Sequence, residues 1–156
     1  MTVTHQAQFP GYEILGELGR SNARVLKARH LQTGDLVAIK HFYQDTDQET
    51  LSRFQQELKM MLAIQHPNIV QVREVNLETS FPFVAMELIE GGLLRRLFKT
   101  GGKLDVATVI RLGLQMSLAL KEISAHSIIH RDIKPENILY RHLPSGVRWV
   151  GLAGHL

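Results

Sequence analysis

Apolar positions alternate in short runs over the first part of the chain and recur at helical spacing further on. Tyr12–Gly19 and Arg24–Arg29 are β-like runs, and Leu36–Tyr43 is a third. Between the second and third, His30–Asp35 reads as a hairpin turn, with Gly34-Asp35 as its signal. Strand side chains alternate, so Ala38 and Lys40 share one face of the third run, while Val37, Ile39 and His41 share the other. Asp47–Ile64 predicts a helix: Leu51, Phe54, Leu58, Met61 and Leu62 form one apolar stripe, and Pro67 follows. Ile69–Leu77 and Phe81–Ile89 predict two more strands. Glu90-Gly91-Gly92 is a turn, followed by a short helix to about Lys99 and a break at Thr100-Gly101-Gly102. Asp105–Ala125 is the longest predicted helix, with Asp105 placed to cap it. Val109, Leu112, Met116, Ala119 and Ile123 make one stripe, and Val106, Ile110, Leu114 and Leu118 add apolar positions on other sides. A helix this apolar wants protein on more than one side, so exposed hydrophobic surface is expected where none is supplied.

Composition narrows the classes without choosing one. The 156 residues suggest a single domain, 44% apolar and 21% charged, as in ordinary globular chains. The 18 basic residues are scattered among 15 acids, so no nucleic-acid stripe is present and no nucleic-acid partner is expected. The lack of cysteine excludes disulfides and thiolate zinc sites; it does not fix the compartment, although a reducing cytosol is compatible, and the expected location is cytoplasmic. Met1–Gln8 is polar and does not read as a signal peptide. No window offers about 18 uninterrupted apolar residues, so no membrane-spanning helix is expected. His126, His142 and His155 make no metal-ligand spacing.

The chemistry is concentrated in His130-Arg131-Asp132-Ile133-Lys134-Pro135-Glu136-Asn137. This stretch places a carboxylate, an ammonium and an amide close together. That set can take a proton from a hydroxyl while steadying a phosphate and a metal. It resembles the catalytic loop of protein kinases, H-R-D-x-K-P-E-N. The order of strands, helix, strands, Gly-Gly turn and long helix is similar to the kinase fold from Tyr12 onward. The nearest type is the eukaryotic-like serine/threonine kinase.

The resemblance implies an α+β, protein kinase-like fold: a five-stranded antiparallel N-lobe sheet with one helix, then the start of a helical, incomplete C-lobe. Residues 1–11 become an N-terminal extension, about 12–86 the N-lobe, about 87–92 the hinge and about 93–156 the partial C-lobe. Val37-Ala38-Ile39-Lys40 is similar to the V-A-I-K strand motif, which makes Lys40 the phosphate-contacting lysine and Glu57 its helix partner. His66-Pro67-Asn68-Ile69 is a local pattern that kinases share. Met86–Gly92 resembles the hinge, with Met86 as gatekeeper, backbone groups of Glu87 and Ile89 on the adenine edge, and Val25, Ala38 and Leu139 around its ring. In the catalytic loop Asp132 accepts the substrate proton, Lys134 touches the transferred phosphoryl group and Asn137 holds Mg²⁺. His130 and Arg131 are more structural.

Three departures from the family pattern stand out. The glycine loop G-x-G-x-x-G-x-V reads Gly19-Arg20-Ser21-Asn22-Ala23-Arg24-Val25, one residue short and with Gly19 alone retained, so weakened nucleotide binding is expected. The D-F-G site reads Gly151-Leu152-Ala153: Leu152 keeps an apolar packing role, whereas Gly151 offers Mg²⁺ no ligand. No A-P-E-like segment or peptide platform is found before Leu156. The expected function is therefore ATP-dependent phosphoryl transfer to a protein hydroxyl, with Mg²⁺ held weakly and with the chain alone inactive or weakly active. The alternatives are a pseudokinase-like nucleotide- or protein-binding module, or an inactive kinase fragment. Expected partners are a protein substrate or a docking protein, and self-association through an exposed C-lobe helix.

Overall fold

The structure, a computed structural model, describes residues 8–20, 23–43, 45, 47–99, 101–129, 133–143 and 146–151. The chain divides into two compact units. One comprises the described parts of Met1–Leu62 together with Val72–Leu88, and the other those of Ala63–Gln71 with Ile89–Leu156.

The first unit is a five-stranded antiparallel sheet with one helix. Strands β1 (Tyr12–Arg20), β2 (Ala23–His30), β3 (Leu36–Phe42), β4 (Val72–Asn76) and β5 (Phe83–Glu87) run in the order β1-β2-β3-β5-β4, and α1 spans Gln48–Met61. The β2–β3 turn closes where Gly34-Asp35 predicts it: the Gly34 amide donates to the His30 carbonyl at 2.8 Å and the His30 amide to the Asp35 carbonyl at 2.8 Å. Alternation on β3 divides the sheet as expected. Val37 and Ile39 join Leu26, Ala28, Phe83 and Ala85 in a core on one face.

Phe9 completes that core. It is 1% exposed, its ring edge-on to Phe83 at 5.5 Å and to His41 at 5.3 Å. Tyr12 also packs on Phe83, and its hydroxyl donates to Glu74 Oε2 at 2.6 Å, tying β1 to β4. On α1, Leu51, Leu58 and Met61 are buried as the stripe predicts. The helix stops at Met61, short of the expected Ile64, so Leu62 falls past its end and is exposed. The Phe54 side chain lies outside the described residues.

The second unit is built on α3 (Val106–Ala125) and a three-stranded sheet of β6 (Gly92–Leu93), β7 (Ile138–Leu143) and β8 (Gly146–Gly151), in that order. A short helix α2 (Leu94–Lys99) and a 3-10 turn at Pro135–Asn137 complete it. Asp105 caps α3 as expected: Oδ1 accepts from the Thr108 amide at 2.9 Å and Oδ2 from the Thr108 hydroxyl at 2.7 Å. Those bonds hold its carboxyl below the usual range, the backbone bond most of all. Trp149, Leu94 and Ile138 form the core, with Leu112 and Met116 against it.

The stripe on α3 needs one correction. Ala119 and Ile123 are buried, but Val109 is 50% exposed. It shares their side of the helix, two heptads before Ile123, but sits in the first turn of α3. Ile69, expected to begin a strand, instead makes an isolated parallel bridge to Gly151. The β6–β7 pairing explains Gly91-Gly92. A Cβ on Gly91 would run into the Tyr140 carbonyl, and Gly92 has a φ of +148° beside the Tyr140 hydroxyl, so only glycine fits either position.

Candidate functional site

In the first unit the strand register gathers the expected nucleotide-binding residues on one sheet face. Gly19 pairs with Val25, Val25 with Lys40, and Lys40 with Val84, a single cross-strand row. Cross-strand partners point to the same face. Two residues along, Ala38 pairs with Met86 on that same face. The opposite face carries the Phe9 core. Lys40 is half-buried, and loss of hydration pulls its ammonium down from the ordinary lysine value to about 8. The Phe42 ring lies 5.9 Å from its Nζ, a cation–π contact that favours the charged form. Glu57 is on α1, and its side chain lies outside the described residues.

The shortened glycine loop shows in the register. Arg20 pairs directly with Arg24, so β1 and β2 close within three residues. Ser21 and Asn22 lie outside the described residues. Glu17 holds both arginines, at 3.0 and 3.1 Å to Arg20 and 3.0 Å to Arg24, and the Arg20 bond is the main cause of its lowered carboxyl pKa. Arg24 pairs across β2–β3 with His41 rather than with Lys40, so these arginines belong to the face away from the Lys40 row.

In the second unit, Glu87's successor segment leads through half-buried Ile89 to β6, and Leu139 on β7 pairs with Leu93 and Val150. Glu87 itself ends β5 in the first unit, half-buried. His130, Arg131 and Asp132 lie outside the described residues, as do Leu152 and Ala153. Lys134 and Asn137 are described: the Asn137 amide donates to the Lys134 carbonyl at 2.9 Å within the 3-10 turn. Both line a cavity of about 30 Å³ together with Gly151, so the expected D-F-G position and the catalytic loop are brought together. The rest of that lining is apolar, including Ile69, Met116 and Ile138. Glu136 is paired with Arg95 of α2 at 3.4 Å.

One feature escaped the sequence reading. Buried Asn68 donates through Nδ2 to the Trp149 carbonyl at 2.8 Å and to Gln115 Oε1 at 3.1 Å, and Gln115 Oε1 also accepts from the Trp149 amide at 2.7 Å. The backbone adds two more links: the Gly151 amide donates to the Asn68 carbonyl at 2.8 Å and the Val70 amide to the Gly151 carbonyl at 3.0 Å. Four hydrogen bonds thus fix residues 149–151, and a fifth joins Asn68 to Gln115 behind them. The signal that could have found the clamp is Gln115 itself, a polar residue interrupting the apolar stripe between Leu112 and Ala119.

Comparison with known proteins agrees with this arrangement. The family model for the protein kinase domain matches residues 12–148. A probable serine/threonine-protein kinase of Clostridium perfringens is 32% identical over 82% of this chain, and serine/threonine-protein kinase PkaA of Streptomyces coelicolor is 35% identical over 70% of it. The matches span 19% and 21% of those relatives, so the chain corresponds to about a fifth of their length. Among solved structures, the PknI kinase domain of Mycobacterium tuberculosis superposes with a TM-score of 0.82 at 23% identity, over 93% of this chain and 60% of that one. The fold and the sequence relatives agree: this chain belongs to the protein kinase domain family.

Proposed function

We propose that this chain is the ATP-binding part of a serine/threonine protein kinase, whose reaction is phosphoryl transfer to a protein hydroxyl. Family membership supports the reaction class. The observation that carries the reading is Lys40, a half-buried lysine in one cross-strand row with Gly19 and Val25, on the face shared by Ala38 and Met86. A positive charge fixed on a core strand is set in place before a polyphosphate arrives, so little reorganisation is needed to meet it.

The proposed organisation is an extension at 1–11, an N-lobe at about 12–86, a hinge at about 87–92 and the start of a C-lobe at about 93–156. Glu57 holds Lys40. The backbone of Glu87 and Ile89 reads the adenine edge, and Val25, Ala38 and Leu139 give apolar contact to its ring. Asp132 takes the proton of the acceptor hydroxyl, and Lys134 meets the transferred phosphoryl group. Partners are a protein substrate and a protein docking on α3, in the cytoplasm.

Protein kinases use Mg²⁺ with ATP, where the metal neutralises phosphate charge. The residues here fit it poorly. Asn137 offers one amide oxygen, Gly151 offers no side chain, and Glu136 is engaged by Arg95. Among the described residues no group of three or more His, Asp or Glu is placed to hold a metal. Mg²⁺ is therefore held weakly. Gly151 is also what favours the second reading, a nucleotide- or protein-binding module without transfer.

A thermal melt with and without ATP tests the nucleotide site, with Lys40→Met alongside. Ligand at ~100 times Kd stabilises by about 2.7 kcal/mol. A midpoint raised by ATP in the native sequence and unmoved in Lys40→Met supports the reading. Cooperative melts that ATP moves in neither chain count against it.

A further inference from the structure

We infer that the ligand of this site is the nucleotide free of its divalent cation, and that metal binding has been lost at one side chain while its backbone seat is kept. The inference rests on the nucleotide-binding reading above and concerns which ionic form of the nucleotide is taken.

The seat is defined by the backbone of β8. Trp149 is clamped by Asn68 and Gln115, and both backbone groups of Gly151 are bonded, to the Asn68 carbonyl at 2.8 Å and the Val70 amide at 3.0 Å. Residue 151 therefore has a fixed position, which a metal ligand needs. Nothing about that position demands glycine. Its φ lies outside the left-handed region, and an added Cβ would meet the Asn68 carbonyl oxygen at 3.6 Å and Met116 Sδ at 3.7 Å, both ordinary contacts. Gly91 is the contrast within the same unit, where a Cβ has no room. A carboxylate at 151 is excluded by sequence alone.

Without it, no described residue lining the cavity supplies a carboxylate. Mg²⁺ asks for about six oxygen ligands and usually binds through one or two carboxylates plus phosphates. Among the described residues, the cavity that Asn137 and Gly151 share has an almost wholly apolar lining and no carboxylate. In the first unit, the Lys40 ammonium on the row with Gly19 and Val25 suits bare phosphate oxygens. Arg20 and Arg24 add nothing to that charge, since Glu17 occupies them on the other face.

Titration calorimetry of ATP into the chain, once in MgCl₂ and once in EDTA, reads the inference directly. The native sequence is expected to give the same Kd in both, within about twofold. Gly151→Asp is expected to bind about tenfold more tightly in MgCl₂ than in EDTA, the scale of a restored charge-assisted ligand. A native chain that binds ATP clearly tighter with Mg²⁺ overturns the metal-free ligand. A Gly151→Asp chain that melts cooperatively at the native midpoint yet shows no Mg²⁺ gain overturns the preserved seat. Absence of ATP binding by the native chain in both buffers removes the nucleotide reading itself, an outcome distinct from the other two.

Discussion

The two units bury their apolar residues to different degrees. In the first, both faces of β3 are covered: Val37, Ala38 and Ile39 are all buried, and Phe9 reaches from outside the strands to close the outer core. In the second, α3 buries only Ala119 and Ile123 of its 20 residues, while Val106, Ile110, Leu114 and Leu118 stand exposed, joined by Ile129 and Ile133 near the catalytic loop. A sheet packed on both sides is stabilised by its own residues. A helix packed on one side carries spare apolar surface, and such surface marks an interaction face.

This contrast breaks most visibly at the cores. Phe9→Ala should cost about 3–5 kcal/mol, because it removes a fully buried ring from between Phe83 and His41. Trp149→Ala should cost a comparable amount, about 3–5 kcal/mol, in the smaller core of the second unit. Urea unfolding checks both, and a loss below about 1 kcal/mol at Phe9 would mean that the sheet closes without it. Asn68→Ala comes next. It strips the Trp149 carbonyl and one Gln115 contact of their buried donor, for an expected loss of about 1–3 kcal/mol. Amide exchange at Gly151 should quicken in the same variant, since the clamp fixing β8 is weakened.

Much of this was legible from local pattern. Strand alternation separates Lys40 and Ala38 from Val37 and Ile39, and Asp105 announces its own cap, because both depend on neighbours close in sequence. Phe9 was not legible as core, since nothing near Gln8–Pro10 says that the chain folds back onto a sheet formed later. The Asn68–Gln115–Trp149 clamp joins residues far apart in sequence, and only the fold brings them together. Gly91 reads as a turn glycine, whereas its reason is the approach of Tyr140 from β7. The candidate site is read by motif alone, and Gly151 stands out there as the residue that departs from the motif.

Lys40 sharpens the comparison through pH rather than packing. Its folded pKa of about 8 lies below the ordinary 10.5, so from pH 8 upward the unfolded chain binds more protons than the folded one. Stability should therefore rise with pH between about 8 and 10. Above that, Tyr12 pulls the other way: burial and its bond to Glu74 hold the phenol protonated, so its contribution fades once unfolded tyrosine ionises near 10. Lys40→Met should flatten the rise between pH 8 and 10. Melts across that range decide it, and an unchanged slope in the variant would assign the rise to another group.

The smallest expected effect tests the open side of α3. Leu114 is 60% exposed, midway along the helix, and Leu and Lys have nearly equal helix propensity. Leu114→Lys should then change unfolding free energy by no more than about 0.5 kcal/mol, as surface substitutions do. Met116, two residues on, is packed against the Trp149 core, so Met116→Lys should cost several times more, about 2–5 kcal/mol. The pair shares one helix and one introduced charge, so propensity cancels between them and the difference reports burial alone. Equal losses at the two positions would mean that Leu114 is covered in solution. A Leu114→Lys loss that grows with protein concentration would show that the cover is a second copy of the chain, because only association makes stability depend on concentration.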